Sequence, residues 1–430
     1  MRKLLKTKWE KLQQIILTPS PSVLPDRNPT QTLDQHAESN EKNEMEYIRP
    51  MFSDTECNIS SVNEDNKVDL GLLITQVSRT SISSVVSIDL RIQIAEFAKS
   101  SRREVERSMF ELGEQIGRGN FGKVFKGRVF GLYSSNSKTS VAIKTISGIV
   151  NEIDLENMLV EIKIMNAIRP NLNLVSLIAS CSSDFEANGK IFLILEYCKH
   201  GDLQKYLHLN GKDLTSGNHN GYVDHRCLIK WAFDIANGMQ YLNEHKIMHG
   251  DLAARNILMD ENPLKGGYPV AKVADFGLAK EMNDYLIYEK QSRVHVPWRW
   301  MAPEYLTGYY FTLASDVWSF GVIFWEILSI GKLPYGRQCL ADDLVDKIES
   351  GYRLECPDGL EYINSWSPQA LFQRISRICF VSDPQHRGEF CDVVNTIKEE
   401  LTEDELVFYD KMKETYESTR CDIYLKLNKK

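Results

Sequence analysis

The sequence predicts an α+β protein with two lobes: a small lobe built on a five-stranded sheet with one main helix, and a larger, mostly helical lobe. Two observations lead to this fold class. Between Met109 and Tyr197, apolar and polar residues mostly alternate in short segments, which is the period of half-buried strands. After Gly201 the apolar residues mostly recur at helical spacing. A chain of 430 residues with 43% hydrophobic residues is long enough to bury such a core.

The elements of the small lobe follow one another in a simple order. The segments FELGEQIG, GKVFKGRVF and SVAIKTI predict three strands joined by turns, and LENMLVEIKIMNAI predicts the helix. NLVSLIASC and IFLILEY complete the sheet. The helices of the large lobe are predicted for the segments DHRCLIKWAFDIANGMQYLNEH, SDVWSFGVIFWEILSIG, ADDLVDKIESG, LFQRISRICF and FCDVVNTIKEELT.

The chain outside these lobes differs in composition. Residues 1–105 are expected to be largely disordered, because much of this region is rich in Pro, Ser, Asn and charge. Its start, MRKLLKTKWEKLQQIIL, is an exception: a basic amphipathic segment with one apolar helical face. Such a helix either lies on an anionic membrane surface or is merely a solvated charged helix, and both interpretations stay open. The stretch SISSVVSIDLRIQIAEFAKSSRREVERSM is expected to be weakly structured, and residues 402–430 form a C-terminal tail.

Composition excludes several classes of protein. The formal net charge of -8 argues against nucleic acid as a partner, since a phosphate backbone requires a basic surface. The nine cysteines include no close C-x-x-C pair, which favours reduced thiols in a cytosolic setting. No apolar run approaches the roughly 18 residues of a membrane span, so we expect no transmembrane helix in this chain. The N-terminus also lacks the apolar core of a secretory signal.

The segment IGRGNFGKV lies between the first two predicted strands. It supplies Gly117, Gly119 and Gly122 and ends at Val124. Glycines let backbone amides approach a phosphate with no side chain in the way. A dinucleotide site would continue into a helix, whereas a second strand follows here. A plain glycine-rich hairpin is the alternative for this motif taken alone.

The third strand carries a lysine, Lys144, within the apolar sequence VAIK. An ammonium group in such a place needs an anionic partner or a route to solvent. Glu161, in the helix that follows, is the natural partner, with Glu152 and Glu156 as rivals. A surface ion pair is the alternative reading of Glu161.

Two further segments carry carboxylate and amide groups. HGDLAARN supplies Asp251 and Asn256, and VADFGLA supplies Asp275. Transfer of a phosphoryl group needs a metal ion held by such oxygens and a carboxylate aimed at the attacking hydroxyl. Asp251 suits the second task, whereas Asn256 and Asp275 suit the first.

From Met109 to Leu401 the chain resembles the eukaryotic protein kinases. The glycine motif, the strand lysine, the Asp…Asn loop, Asp-Phe-Gly and WMAPE occur in the order of that family. The resemblance implies the bilobal protein-kinase fold over residues 106–401, with an N-lobe at 106–197 and a C-lobe at 198–401.

The same resemblance assigns later residues. Asp316 resembles the aspartate that braces the catalytic loop, and Arg387 resembles the arginine that pairs with Glu304. Leu195 stands at the gatekeeper position, and the hinge that follows it would hydrogen-bond adenine.

A nucleotide and a metal ion follow from the resemblance as cofactors. ATP would be bound with Mg2+, or with Mn2+, at Asn256 and Asp275. Lys144 would hold the α- and β-phosphates while Glu161 orients it, and Asp251 would act on the substrate hydroxyl together with Arg255. The residues expected around ATP are Gly117, Gly119, Gly122, Val124, Ala142, Lys144, Glu196 and Cys198.

The catalytic loop favours tyrosine over serine or threonine as the substrate hydroxyl. Serine/threonine kinases carry a lysine two residues after the catalytic aspartate, whereas this chain has Ala253 there and its positive charge at Arg255. DLAARN is typical of receptor tyrosine kinases. Pro297 and Trp300 resemble the platform for the substrate backbone, with core packing as the alternative for Trp300. The chain is most similar to growth-factor receptors of the platelet-derived and vascular endothelial class, but it lacks their long insert.

Gly250 departs from the family, because most kinases have an arginine here that binds a phosphate on the activation loop. The catalytic residues are nevertheless present, so we predict an active protein tyrosine kinase, with a catalytically inactive pseudokinase scaffold as the alternative. Activity is expected to depend only weakly on phosphorylation of Tyr285 and Tyr288, with Arg299 or Lys280 replacing the missing arginine.

The expected partners are protein substrates with tyrosine and a second copy of the chain for trans-phosphorylation. Tyr47 and Tyr424 are candidate phosphotyrosine docking sites for SH2-type partners. If the chain belongs to a receptor, residues 1–105 are juxtamembrane-like and contact the cytoplasmic face of the plasma membrane through their basic start. A complete cytoplasmic kinase is the other interpretation.

Overall fold

The computed structural model describes residues 86–427 apart from 102, 120–121, 133–136, 147–151, 184, 186–188, 217–223, 283–287, 290–296, 309 and 359–365. The basic start of the chain, Tyr47 and Tyr285 therefore lie outside the described residues. Within the described part, no helix has both the length and the apolar character needed to cross a membrane.

A helix, α1, precedes the first strand and runs from Ile88 to Ser100. Ser87 caps its N-terminus, since Ser87 Oγ accepts a hydrogen bond of 3.3 Å from the Leu90 amide. Leu90, Ile94 and Phe97 lie on one face and are buried in the main hydrophobic core. The prediction of a weakly structured region is therefore wrong for Ile88–Ser100. Packing against the core stabilises a helix here that the composition alone does not predict.

The small lobe is a five-stranded sheet with one helix, as predicted. All neighbouring strands are antiparallel, in the order β1-β2-β3-β5-β4. Val141 and Ile143 are buried in one apolar cluster, whereas Lys144 points to the opposite face, because successive side chains of a strand alternate. The bounds are β1 Phe110–Gly119, β2 Gly122–Phe130, β3 Lys138–Thr145, α2 Glu152–Ala167, β4 Leu177–Cys181 and β5 Phe192–Glu196.

The large lobe is mostly helical. Its short strands pair antiparallel as β6 with β9, β7 with β8 and β10 with β11. The helix α6 is buried almost all round, as its nearly continuous apolar sequence requires. The bounds are α3 Leu203–Ser216, α4 Arg226–Glu244, β6 Ile247–Met248, β7 Ile257–Asp260, β8 Val270–Val273, β9 Lys280–Glu281, β10 Tyr288–Glu289, α5 Pro303–Gly308, β11 Tyr310–Phe311, α6 Leu313–Leu328, α7 Ala341–Glu349, α8 Pro368–Cys379 and α9 Phe390–Lys398.

The predicted helices of this lobe correspond to α4, α6, α7, α8 and α9, whereas α3 was not predicted. Its sequence is rich in polar residues and contains a glycine, which together resemble a loop. Leu203, Leu207 and Leu214 fix it as a helix because all three are buried in the main core.

The region expected to be a C-terminal tail forms a long helix, α10, from Glu403 to Leu427. Tyr409, Met412 and Tyr416 lie three and four positions apart, and all three are buried in the main core. The backbone at Tyr424 is part of this helix. The tail is therefore packed onto the protein at Tyr409, Met412 and Tyr416.

Candidate active site

Lys144 joins the two lobes through two carboxylates. Its Nζ lies 2.8 and 2.9 Å from the oxygens of Glu161 on α2, and 2.8 Å from Oδ1 of Asp275 after β8. Of the rival acids, Glu152 instead accepts a hydrogen bond of 3.2 Å from the Ser87 amide. The structure therefore brings together the lysine, glutamate and aspartate that the sequence had assigned to one site.

The electrostatics of this triad fix its charges. Burial opposes the charge on Lys144, but Glu161 and Asp275 outweigh burial and raise the pKa of Lys144 above its ordinary value. The charge on Lys144 lowers the pKa of Asp275 below its ordinary value. At neutral pH the site thus holds an ammonium and an ionised Asp275, which suit a phosphate and a metal ion respectively.

The catalytic loop brings Asp251, Arg255 and Asn256 together. Arg255 Nη2 donates to Asp251 Oδ1 at 2.5 Å, and Asn256 Nδ2 donates to the Asp251 carbonyl at 2.7 Å. The guanidinium of Arg255 also lies 4.4 Å from the ring centre of Trp300, a cation–π distance. Burial raises the pKa of Asp251, and Arg255 opposes this shift. Asp251 is thus a partly desolvated carboxylate with one oxygen fixed by arginine.

Glu326 supports this loop and was not singled out from the sequence. Its Oε2 accepts hydrogen bonds from the Ala254 amide at 3.0 Å and from Trp300 Nε1 at 2.8 Å. Burial raises the pKa of Glu326 to about 7. Trp300 is buried. The residue predicted to support the substrate backbone therefore also packs in the core, which was the alternative interpretation. A single acid inside the apolar sequence FGVIFWEIL was the signal for Glu326.

The start of the loop is braced by Asp316 on α6. Its carboxylate accepts the amides of His249 at 2.7 Å and Gly250 at 2.9 Å, as the resemblance implied. Gly250 has a φ of +74°, and a Cβ built there would lie 3.2 Å from the Leu278 carbonyl oxygen. Position 250 is therefore held through its backbone, in a conformation that favours glycine.

Glu304 and Arg387 form a second fixed pair. Arg387 Nη1 and Nη2 each donate to a different oxygen of Glu304 at 2.8 Å, in the bidentate geometry of strong arginine–carboxylate pairs. Both side chains are buried. This pair fixes the segment that follows Trp300, and it matches the pairing expected from the resemblance.

The strands β1, β2 and β3 carry the glycine motif, Val124 and Ala142. Gly117 pairs with Val124 and Gly119 with Gly122 across the β1–β2 ladder, and Ala142 lies opposite Leu195 on β5. A Cβ at Gly122 would lie 2.2 Å from the Thr145 carbonyl oxygen, so this glycine is required by close backbone approach. The other two glycines of the motif, Gly117 and Gly119, lie at the end of β1.

Glu196 and Cys198, which the resemblance places at the hinge, are both buried. The Glu196 side chain accepts hydrogen bonds from the Ser176 amide and from Tyr416 on α10, so it is engaged away from any ligand. Burial raises the pKa of the Cys198 thiol well above its ordinary value. Only the backbone of these residues is suited to contact a nucleotide base.

Asn256 and Asp275 offer the oxygen ligands that a magnesium-type ion prefers. The Asp275 side chain is 41% exposed although one of its oxygens contacts Lys144. The Asn256 amide is oriented by its hydrogen bond to the loop backbone. No cage of three or more His, Cys, Asp or Glu side chains occurs in the residues that the structure describes. The two side chains therefore fit a metal ion that takes its other ligands from phosphate and water.

Of the two basic residues expected to replace an arginine at position 250, Arg299 is engaged elsewhere. Arg299 donates from Nη2 to the carbonyl oxygens of Gly336 and Cys339, at 3.2 and 3.0 Å. Burial lowers the pKa of Lys280, and the charge of Glu156 opposes this shift. Tyr288 lies in β10, which pairs with β11.

Comparisons with known proteins show which family this chain resembles. A family model described as protein tyrosine and serine/threonine kinase matches residues 110–397. The tyrosine kinase receptor Cad96Ca of Drosophila melanogaster is 34% identical over 303 residues, which cover 70% of this chain and 37% of that protein. Fibroblast growth factor receptor 1 of Pleurodeles waltl is 32% identical over 305 residues, with coverages of 69% and 36%. Vascular endothelial growth factor receptor 3 of Coturnix coturnix is 30% identical over 357 residues, with coverages of 71% and 25%.

The chain thus spans between 25% and 37% of the length of these three relatives. The predicted similarity to growth-factor receptor tyrosine kinases is confirmed, and it extends to fibroblast as well as vascular endothelial growth factor receptors. Proteins of this type use ATP and a divalent metal ion. With two thirds of its length matched by the family model, the chain belongs to the protein tyrosine and serine/threonine kinase family.

Proposed function

We propose that this chain transfers the γ-phosphate of ATP to tyrosine hydroxyls of proteins, as the kinase domain of a receptor-type signalling protein. The observation that carries the proposal is Lys144, whose Nζ lies 2.8 Å from both Glu161 and Asp275. This arrangement requires β3, α2 and the segment after β8 to be aligned at once. A chain that had lost ATP chemistry would have no need to keep all three groups in contact.

Lys144, oriented by Glu161, would bind the α- and β-phosphates of ATP beneath the glycines at 117, 119 and 122. Val124 and Ala142 would cover the adenine, and the backbone of Glu196 and Cys198 would hydrogen-bond it. Asn256 and Asp275 would hold Mg2+ or Mn2+. When bound, the metal ion supplies charge neutralisation at the β- and γ-phosphates.

Asp251 would orient the substrate hydroxyl and accept its proton, since its carboxylate is desolvated and has one oxygen fixed by Arg255. Ala253, in the place of the lysine typical of serine/threonine kinases, is fully buried. The cation of the loop is instead Arg255, which is stacked on Trp300. This exchange supports tyrosine as the acceptor.

The receptor setting of this proposal rests on the named relatives, which are receptors. In that setting a second copy of the chain would phosphorylate the first. Tyr47 and Tyr424 would become docking sites for SH2-type partners. The basic start of the chain would contact the cytoplasmic face of the membrane.

The test is phosphate transfer from ATP to a poly(Glu,Tyr) substrate with Mg2+, and separately with Mn2+, using the full chain. An Asp251→Asn variant and a serine/threonine peptide serve as controls. We expect tyrosine phosphorylation that is lost in the Asp251→Asn variant and absent from the peptide. Folded protein that binds ATP but transfers no phosphate would contradict the proposal and favour a pseudokinase.

A further inference from the structure

The C-terminal helix α10 contacts Glu196, which is the first residue of the proposed hinge. Tyr416 Oη lies 2.9 Å from both carboxylate oxygens of Glu196, and Arg420 Nη2 donates to Oε2 at 2.8 Å. Tyr416 and Glu196 are buried, so these bonds are shielded from water. Tyr416 and Arg420 are thus more than 200 positions from Glu196 in the sequence, yet both hold its carboxylate.

The same carboxylate also binds residues on two other elements. The Ser176 amide, just before β4, donates to Oε1 at 2.7 Å, and Lys272 Nζ on β8 lies 3.4 Å from that oxygen. Lys272 is itself buried, with its Nζ 3.8 Å from the ring centre of Tyr416. Glu196 is therefore a junction between the hinge, the loop that follows α2, the large lobe and the C-terminal helix.

The helix is anchored by contacts that do not involve the hinge. Tyr409 Oη donates to Asn173 Oδ1 at 2.6 Å, and the Tyr409 ring packs edge-on against Phe233 at 4.9 Å. Met412 is fully buried. These contacts keep α10 in place, so Tyr416 and Arg420 present fixed donors to Glu196.

A buried carboxylate requires its hydrogen-bond partners, because each missing donor leaves charge without compensation in a desolvated site. Tyr416 and Arg420 supply donors from α10, in addition to those from Ser176 and Lys272. Without them Glu196 would be drawn towards Lys272 and Ser176 or towards water. Either movement would remove the contacts that hold the Glu196 side chain next to the backbone at positions 196–198, which would bind adenine.

We propose that Tyr416 and Arg420 are positioning residues of the nucleotide site, acting through Glu196. The inference rests on the proposed function in taking ATP as the nucleotide. The helix α10 pre-organises the hinge, so that ATP binding does not have to order it. Loss of these two donors then weakens ATP binding more than it slows the chemical step.

The experiment uses the full chain with Tyr416→Phe, Arg420→Gln and the double variant. The dissociation constant for ATP with Mg2+ is measured by calorimetry, and KM for ATP and kcat are measured with poly(Glu,Tyr). We expect the double variant to raise the dissociation constant and KM for ATP by about tenfold, with kcat changed far less. An Arg420→Lys variant keeps the charge and should recover part of the affinity.

Two variants on the same helix are the controls. Lys411→Gln removes an exposed charge, and Tyr409→Phe removes a buried hydroxyl that binds Asn173 instead of the hinge. Both should bind ATP as the wild type does, because the ring at position 409 still packs against Phe233 and Met412 stays buried, which keeps α10 in place. An unchanged ATP affinity in the folded double variant would overturn the inference, as would an equal loss of affinity in Tyr409→Phe.

Binding and transfer also separate the two proposals. A wild-type chain that binds ATP in a manner dependent on Tyr416 and Arg420, yet transfers no phosphate, would support the inference and reject the proposed function. A wild-type chain that shows no binding of ATP would overturn both.

Discussion

The Gly250 amide donates a hydrogen bond of 2.9 Å to Asp316 Oδ1, so the catalytic loop is braced through its backbone at the position where the family usually has an arginine. The neighbouring His249 amide occupies the other oxygen at 2.7 Å. The brace needs no side chain at position 250. The lack of an arginine at position 250 therefore leaves this brace intact, next to Asp251 in the same loop. We expect the change to affect regulation and not catalysis.

A Gly250→Ala variant should be less stable than the wild type. The φ of +74° is unfavourable for any residue with a Cβ, at a cost of about 1–2 kcal/mol. The Cβ would also meet the Leu278 carbonyl oxygen at 3.2 Å. Urea unfolding measures the loss.

Gly201 is the matched control for this variant. It has the same φ of +74°, but a Cβ there would meet nothing within 4 Å. Gly201→Ala should therefore show the backbone cost alone, and Gly250→Ala should exceed it. Equal losses at the two positions would mean that the contact with Leu278 adds no cost.

Activity should depend only weakly on phosphorylation of the activation segment. Gly250 offers no guanidinium for a phosphate, and Arg299 is bound to two backbone carbonyls. We expect a Tyr285→Phe/Tyr288→Phe variant to keep kcat within about threefold of the wild type. Rates measured before and after autophosphorylation, with Asp251→Asn as the inactive control, provide the test. A large loss in the double variant would show that another basic group reads the phosphate.

The helix α1 should support the position of α2, which carries Glu161. Ile94 is 1% exposed and belongs to the same buried cluster as Leu155 and Leu159 of α2. Ile94→Ala should therefore cost about 2–5 kcal/mol of stability and reduce phosphate transfer. Ile92 is the matched control, since it lies on the same helix and is 51% exposed.

For Ile92→Ala we expect a change within about 0.5 kcal/mol. Urea unfolding and transfer to poly(Glu,Tyr) are measured on both variants. A loss of stability at Ile94 without any loss of activity would limit α1 to a structural role.

Much of the fold and of the site could be predicted from the sequence. The features that could not be predicted depend on contacts between residues that are far apart in the chain. Lys144 and Glu161 were paired correctly because a strand and the following helix constrain where their side chains meet. Tyr416 and Glu196 are 220 positions apart, and nothing local in either segment indicates the other. Likewise, α1 carries a capping serine and periodic apolar residues, but only its burial against the core makes these decisive.

Stability should fall as the pH rises through the range in which Asp234 is protonated only in the folded protein. Burial raises the pKa of Asp234 on α4 to about 8, although the Ala271 amide donates to its Oδ2 at 3.0 Å. In the unfolded chain this carboxyl has a pKa of about 3.9. Between these two values the folded state binds the proton and the unfolded state does not.

The free energy of unfolding therefore decreases with rising pH over this window, by up to about 1.4 kcal/mol per pH unit. Asp234→Asn removes the titration and keeps an oxygen that can accept the Ala271 amide. Urea unfolding at pH 5 and at pH 7.5 should show the wild type losing stability relative to Asp234→Asn. A constant difference between the two proteins across this range would mean that Asp234 does not carry a raised pKa in the fold.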